Sequence, residues 1–252
     1  MSNHRVTTAF VVGVKERLRN HVLMSLVLYL PIYFIALINF VAPGDEIPLW
    51  VKVDGLVISI SKPMPEIYTV LMTPMVCALV AGIAGMFMMQ SGEENDGRLV
   101  LVGYRSWEVI TSRLVLLGVI SLAVIVTSLV VMMFFLTPSL VGWFVVAMLV
   151  AGLTYGMIGV LVGSVLNTLG GMYAMLFAPM LDILIFQNPM ITRGNPDAWM
   201  TFLPGYYPLQ IAFDATYTEQ IAAADVGWAV AYLGATTILA TLAFHHKTRV
   251  HQ

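Results

Sequence analysis

Apolar positions in this chain run in long blocks separated by short polar punctuation. From Leu114 to Leu181, between Arg113 and Asp182, no Asp, Glu, Lys, Arg or His occurs. At ~20 residues per span, that stretch holds about three membrane helices. Six blocks separate along the chain. The first, Val22 to Val41, is closed by Ala42-Pro43-Gly44-Asp45. The second, Tyr68 to Met89, is closed by Ser91-Gly92-Glu93-Glu94, and the third, Val109 to Leu136, by Thr137-Pro138-Ser139. The fourth covers Leu140 to Leu166, the fifth Gly171 to Phe186 and the sixth Val226 to Phe244. The pattern predicts an all-α integral membrane protein of six transmembrane helices in a single domain, 1–252.

Two connections carry patterns of their own. Val51 to Ile60 has β-branched flanks around Asp54-Gly55, which predicts a small hairpin. Asn188 to Ala224 mixes Pro189, Pro196, Pro204 and Pro208 with Trp199, Phe202, Tyr206, Tyr207 and Phe213. That mixture predicts short re-entrant helices at the outer interface, between spans five and six. Ahead of the first span, His4 to Asn20 places Phe10, Val14 and Leu18 on one side, with Arg5, Lys15, Arg17 and Arg19 elsewhere. This predicts an interfacial amphipathic helix over 4–20.

Composition agrees with a lipid setting: 59% of residues are hydrophobic, 10% are charged and mean hydropathy is +0.88, whereas a soluble domain carries about 25% charge. The net charge of −2 leaves no basic footprint for nucleic acid. Cys77 is the single cysteine, so no internal disulfide forms. Basic residues set orientation. Arg5, Lys15, Arg17, Arg19, Arg98, Arg105, Arg113, Lys247 and Arg249 fall on one side, against Lys52, Lys62 and Arg193 on the other. Both termini are therefore expected in the cytoplasm and the chain in the plasma membrane. Span one, with its long basic flank and Pro43 after the nearest small residue, is expected to be a permanent helix rather than a cleaved signal.

Chemistry-bearing motifs are scarce. There is no phosphate loop, H-E-x-x-H, C-x-x-C or G-x-S-x-G, so no catalytic residue, cofactor or metal is expected on this chain. His245, His246 and His251 point to different helix faces and make no metal site. Asp182 is the one ionisable residue inside an expected span. At a span's centre an aspartate costs ~2.5–3.5 kcal/mol, so Asp182 is either a pathway or outer-gate residue or an aspartate anchored at the interface. Gly152-x-x-x-Gly156 and Gly159-x-x-x-Gly163 in span four permit close backbone approach, within the chain or as a hinge or subunit seam. Pro31, Pro74 and Pro179 are expected to kink spans one, two and five.

The second loop is the richest segment. Glu93, Glu94 and Asp96 precede Arg98 and Arg105, as in a short helix with its macrodipole complemented at both ends, and Ser106, Val109 and Ile110 start a new helix. In Glu93, Gly97, Leu99, Val102, Ser106 and Arg113 this loop resembles that of the permease subunit of ABC-2 type transporters, with Val102 where the family more often has Leu. Leu203-Pro204-Gly205-Tyr206-Tyr207-Pro208-Leu209 is similar to the family's outer Pro-and-aromatic stretch.

The resemblance implies a subunit with no ATP chemistry of its own, pairing with a second permease copy or paralogue in membrane lipid. Separate ABC ATPase subunits would carry the ATP and Mg. It implies that Glu93, Glu94, Gly97, Arg98 and Arg105 couple to the ATPase. It also implies that Tyr29, Tyr33, Thr73, Met75 and Tyr173, on spans one, two and five, line a pathway for the export of an amphipathic, lipidic or drug-like substrate. The alternative class is a stand-alone secondary transporter or channel, which calls for paired intramembrane charges or inverted repeats; the sequence offers neither.

Overall fold

The computed structural model describes residues 21–53, 56–101 and 106–250. The helix expected over 4–20 lies outside them, as do Asp54, Gly55 and Arg105. Helix α1 (His21–Val41) leads into an antiparallel hairpin of β1 (Glu46–Val53) and β2 (Leu56–Pro63). Then come α2 (Met64–Leu101), α3 (Ser106–Met133), α4 (Val141–Val165) and α5 (Thr168–Pro179), which continues as a π-helical segment, Met180–Phe186. The short α6 (Pro189–Thr192), a 3-10 turn (Met200–Phe202) and α7 (Tyr206–Tyr217) precede α8 (Ala223–Val250).

Five helical stretches are long and apolar enough to cross a membrane: Met64–Gln90, Val115–Met133, Val141–Val165, Thr168–Thr192 and Ala223–Ala243, with a shorter apolar stretch at Val27–Val41. This is the architecture of an all-α, multi-pass membrane protein.

Helix α2 is the hub: 89% of its most apolar stretch is buried inside the bundle, against 11% for α8. Its seam with α4 is made by glycines. A Cβ on Gly85 would collide with the Gly156 carbonyl, one on Gly159 with the Gly82 carbonyl, and one on Gly163 would lie 2.7 Å from the Met86 carbonyl oxygen. Backbone therefore rests on backbone, as small residues permit where lipid provides no hydrophobic drive between helices. The span-four glycine pairs thus serve packing within the chain.

The sequence expects a stop at Ser91-Gly92 and a separate loop helix, whereas α2 runs unbroken to Leu101. A glycine inside a helix costs only ~1 kcal/mol, and the Glu, Arg and Leu that follow are good helix formers. The helix restart at Ser106 is as expected. Helices α1 and α2 continue through Pro31 and Pro74. Only at Pro179 does the bonding pattern change, where the π segment begins; proline lacks an N–H and its ring crowds the carbonyl one turn back.

Hydrogen bonds identify the two ends of the bundle. At one end, the α3–α4 turn is tied to α7, Leu140 N donating to Ala215 O (2.8 Å) and Ser139 Oγ to Thr216 O (3.2 Å). The hairpin packs at this same end, the Gly194 turn lying against Trp50 and Val57. At the opposite end, Gln90 Nε2 donates to Leu166 O (3.2 Å). Exposed aromatic rings gather at the hairpin end, among them Phe40, Phe134, Trp143, Trp199, Phe202 and Trp228. Such rings favour the headgroup level of a bilayer.

Candidate functional site

Asp182 sits in the π segment, 5% exposed, and three elements converge on it. Tyr155 from α4 donates its hydroxyl to Oδ2. Gly205, immediately before α7, donates its N–H to the same oxygen (2.7 Å), and Gln187 Nε2 donates to Oδ1 (3.1 Å). The wide turn also closes on itself, Gln187 N donating to Asp182 O (2.9 Å). Both carboxylate oxygens are thus met by donors, which is what makes a buried acid tolerable. Gly205 is required by proximity: a Cβ there would lie 2.7 Å from Asp182 Oδ2 and 2.8 Å from Ile183 Cγ1.

Gln187 connects this cluster to a cavity of about 240 Å³ at the hairpin end. Its Nε2 carries a second bond, to Met200 O (3.0 Å), and its side chain lines the cavity. Trp50 and Val51 of β1 form one wall. Pro189, Thr192, Gly194, Asn195 and Pro196 form the next, and Tyr206, Gln210, Phe213 and Asp214 of α7 a third.

The turn that shapes the second wall is specific. Asn188 caps α6 through Oδ1 to Met190 N (3.0 Å), and Arg193 and Gly194 then adopt left-handed φ of 50° and 72°. A side chain on Gly194 would meet Val57 Cγ1 at 2.7 Å and Trp50 Cβ at 3.0 Å.

Among the described residues Asp214 is the only charged side chain lining the cavity, and it is buried. Its carboxyl is lifted from an ordinary 3.8 to about 7, by burial first and by the neighbouring Asp225 second, against a hydrogen bond from Thr218 that lowers it. The Thr218 hydroxyl lies 3.4 Å from Oδ1. No lysine, arginine or histidine pairs with Asp214 among the described residues.

The residues expected from sequence fall in separate places. Glu93, Glu94, Gly97 and Arg98 lie on the far stretch of α2. Tyr29, Tyr33 and Tyr173 are exposed on the bundle's outside, with Tyr29 and Tyr33 stacked at 5.4 Å. Thr73 and Met75 are fully buried, Thr73 donating to Thr69 O (2.7 Å). Asp182 alone joins a polar cluster. Tyr155, Gln187 and Asp214 carry no signal of their own in the sequence, and Gly205 stands out there only as part of the Pro-and-aromatic stretch. A lone aspartate in a span implies donors somewhere, but their positions depend on which helices touch.

No protein-family model matches the chain, and no curated protein matches it.

Proposed function

We propose that the chain is the permease subunit of an ABC-2 type transporter, exporting an amphipathic, lipidic or drug-like substrate, with ATP hydrolysed on separate ABC subunits. In this reading Val27–Val41 joins the five longer helices as a sixth span. The hairpin and residues 187–222 face outward, α6 and α7 dip into the outer interface, both termini are cytoplasmic, and two permeases pair.

The observation that carries the reading is α2. Its 38 residues extend ~57 Å at ~1.5 Å each, about twice the ~30 Å thickness of the hydrocarbon core. The segment with Glu93, Glu94 and Arg98 is therefore on the same rod as the bundle's buried centre. Force applied to that segment would reach the core without crossing a flexible joint, which is what an external ATPase requires of its partner.

The test is to purify the tagged full chain from its native membrane and reconstitute what accompanies it. The expected result is a stoichiometric phosphate-loop ATPase of ABC type and substrate movement that requires ATP. Transport by the chain alone, driven by an ion gradient, would overturn the proposal in favour of a secondary transporter.

A further inference from the structure

The cavity at the hairpin end has a chemical character of its own. Its only charged lining group among the described residues is an aspartate. Gln187 also lines it, with both hydrogens of its amide already committed, to Asp182 and to Met200. Trp50, Tyr206 and Phe213 supply aromatic surface. Asp225 adds to the negative potential at Asp214.

A carboxylate and three aromatic residues around one small space make the combination that recognises an organic cation, through charge and ring quadrupole together. A hard metal ion is a poorer match. It takes six or more oxygen ligands, whereas among the described residues a single carboxylate lines the cavity, and they contain no group of three His, Cys, Asp or Glu able to hold a metal. At about 240 Å³ the space lies below the ~300–1,000 Å³ typical of drug-sized ligands, which limits the guest to a few carbons around the charged nitrogen.

We propose that this cavity is a binding site for a small alkylammonium ligand, held by the Asp214 carboxylate against Trp50, Tyr206 and Phe213. The site belongs to the folded chain at equilibrium and stands independently of how, or whether, the bundle transports.

Tetramethylammonium chloride titrated into the purified full-length protein in detergent at a pH well above 7, where Asp214 is ionised, tests it by calorimetry, with sodium chloride matching ionic strength and tert-butanol as the neutral counterpart. Saturable binding of tetramethylammonium is expected, with none for tert-butanol. Asp214→Asn should weaken it at least tenfold and Trp50→Leu severalfold, while Asp197→Asn, on an exposed residue of the same end, leaves it unchanged. Because Asp214→Asn affects a buried position, Asp214→Glu is measured beside it and should bind more tightly than Asn. Absence of saturable binding to the wild type, equal binding of tert-butanol, or an unchanged Kd in both Asp214→Asn and Trp50→Leu would overturn the assignment.

Discussion

Tyr155 and Asp182, 27 positions apart on different helices, share a hydrogen bond inside the bundle. The bond ties the middle of α4 to the irregular end of the α5 span. Because Oδ2 of the same carboxylate also receives Gly205 N–H, the loop leading to α7 is fastened at the same point.

Replacing Asp182 by Asn keeps an oxygen for Tyr155 and Gly205 but turns an amide N–H₂ toward Gln187 Nε2, donor against donor. The expected loss is ~1–3 kcal/mol of stability, as for a buried group left unsatisfied. Tyr155→Phe should cost a similar amount. Thermal unfolding in detergent measures both, and the double variant should lose less than the sum of the two.

The α2–α4 seam predicts a contrast between glycines. Gly85→Ala and Gly159→Ala drive a methyl into a facing carbonyl and should cost ~2 kcal/mol or more, by overpacking. Gly118→Ala has nothing within 4 Å and should stabilise by ~0.5–1 kcal/mol through helix propensity. Unfolding midpoints of the three variants, compared in one detergent, check the ordering.

Asp214 sets a pH dependence. In the folded chain its carboxyl holds a proton up to about pH 7, against an ordinary 3.8. Between those values the folded state binds more protons than the unfolded one, so this group's contribution to stability falls as pH rises through the window. Asp225 is the charged neighbour whose repulsion strengthens the effect. The unfolding midpoint should drop between pH 5 and pH 8 in the wild type, and drop less in Asp214→Asn.

Charge reversal of Glu93 and Glu94 to Lys tests the coupling role of the far stretch of α2. Those substitutions should leave the fold intact and uncouple ATP hydrolysis from substrate movement in the reconstituted assembly. Retention of ATPase co-purification and of full transport would remove these residues from the contact.

Helix boundaries were largely readable because hydrocarbon imposes length and apolarity directly on sequence. His21–Val41 differs from its expected bounds by one residue at one end, and Val141–Val165 by one residue at each end. Asp54-Gly55 indicated the hairpin for a similarly local reason. What sequence could not show depends on contact or on competition between small energies. Ser91-Gly92 looks like a terminator, yet its cost is smaller than the gain from continuing the helix. Pro179 was visible as a disturbance, but the wide turn that follows is stabilised by Gln187, eight residues later. The cavity draws on β1, the Gly194 turn and α7, segments that only the tertiary fold brings together.

The glycine seam has a mechanical corollary. Side chains that touch can change rotamer and make room, but main-chain atoms in contact, as at Gly85 and Gly159, have no such freedom. Helices α2 and α4 therefore move as one keel. Whatever rearrangement this molecule undergoes must be taken up around that keel, by elements with shallow attachment, α8 foremost among them.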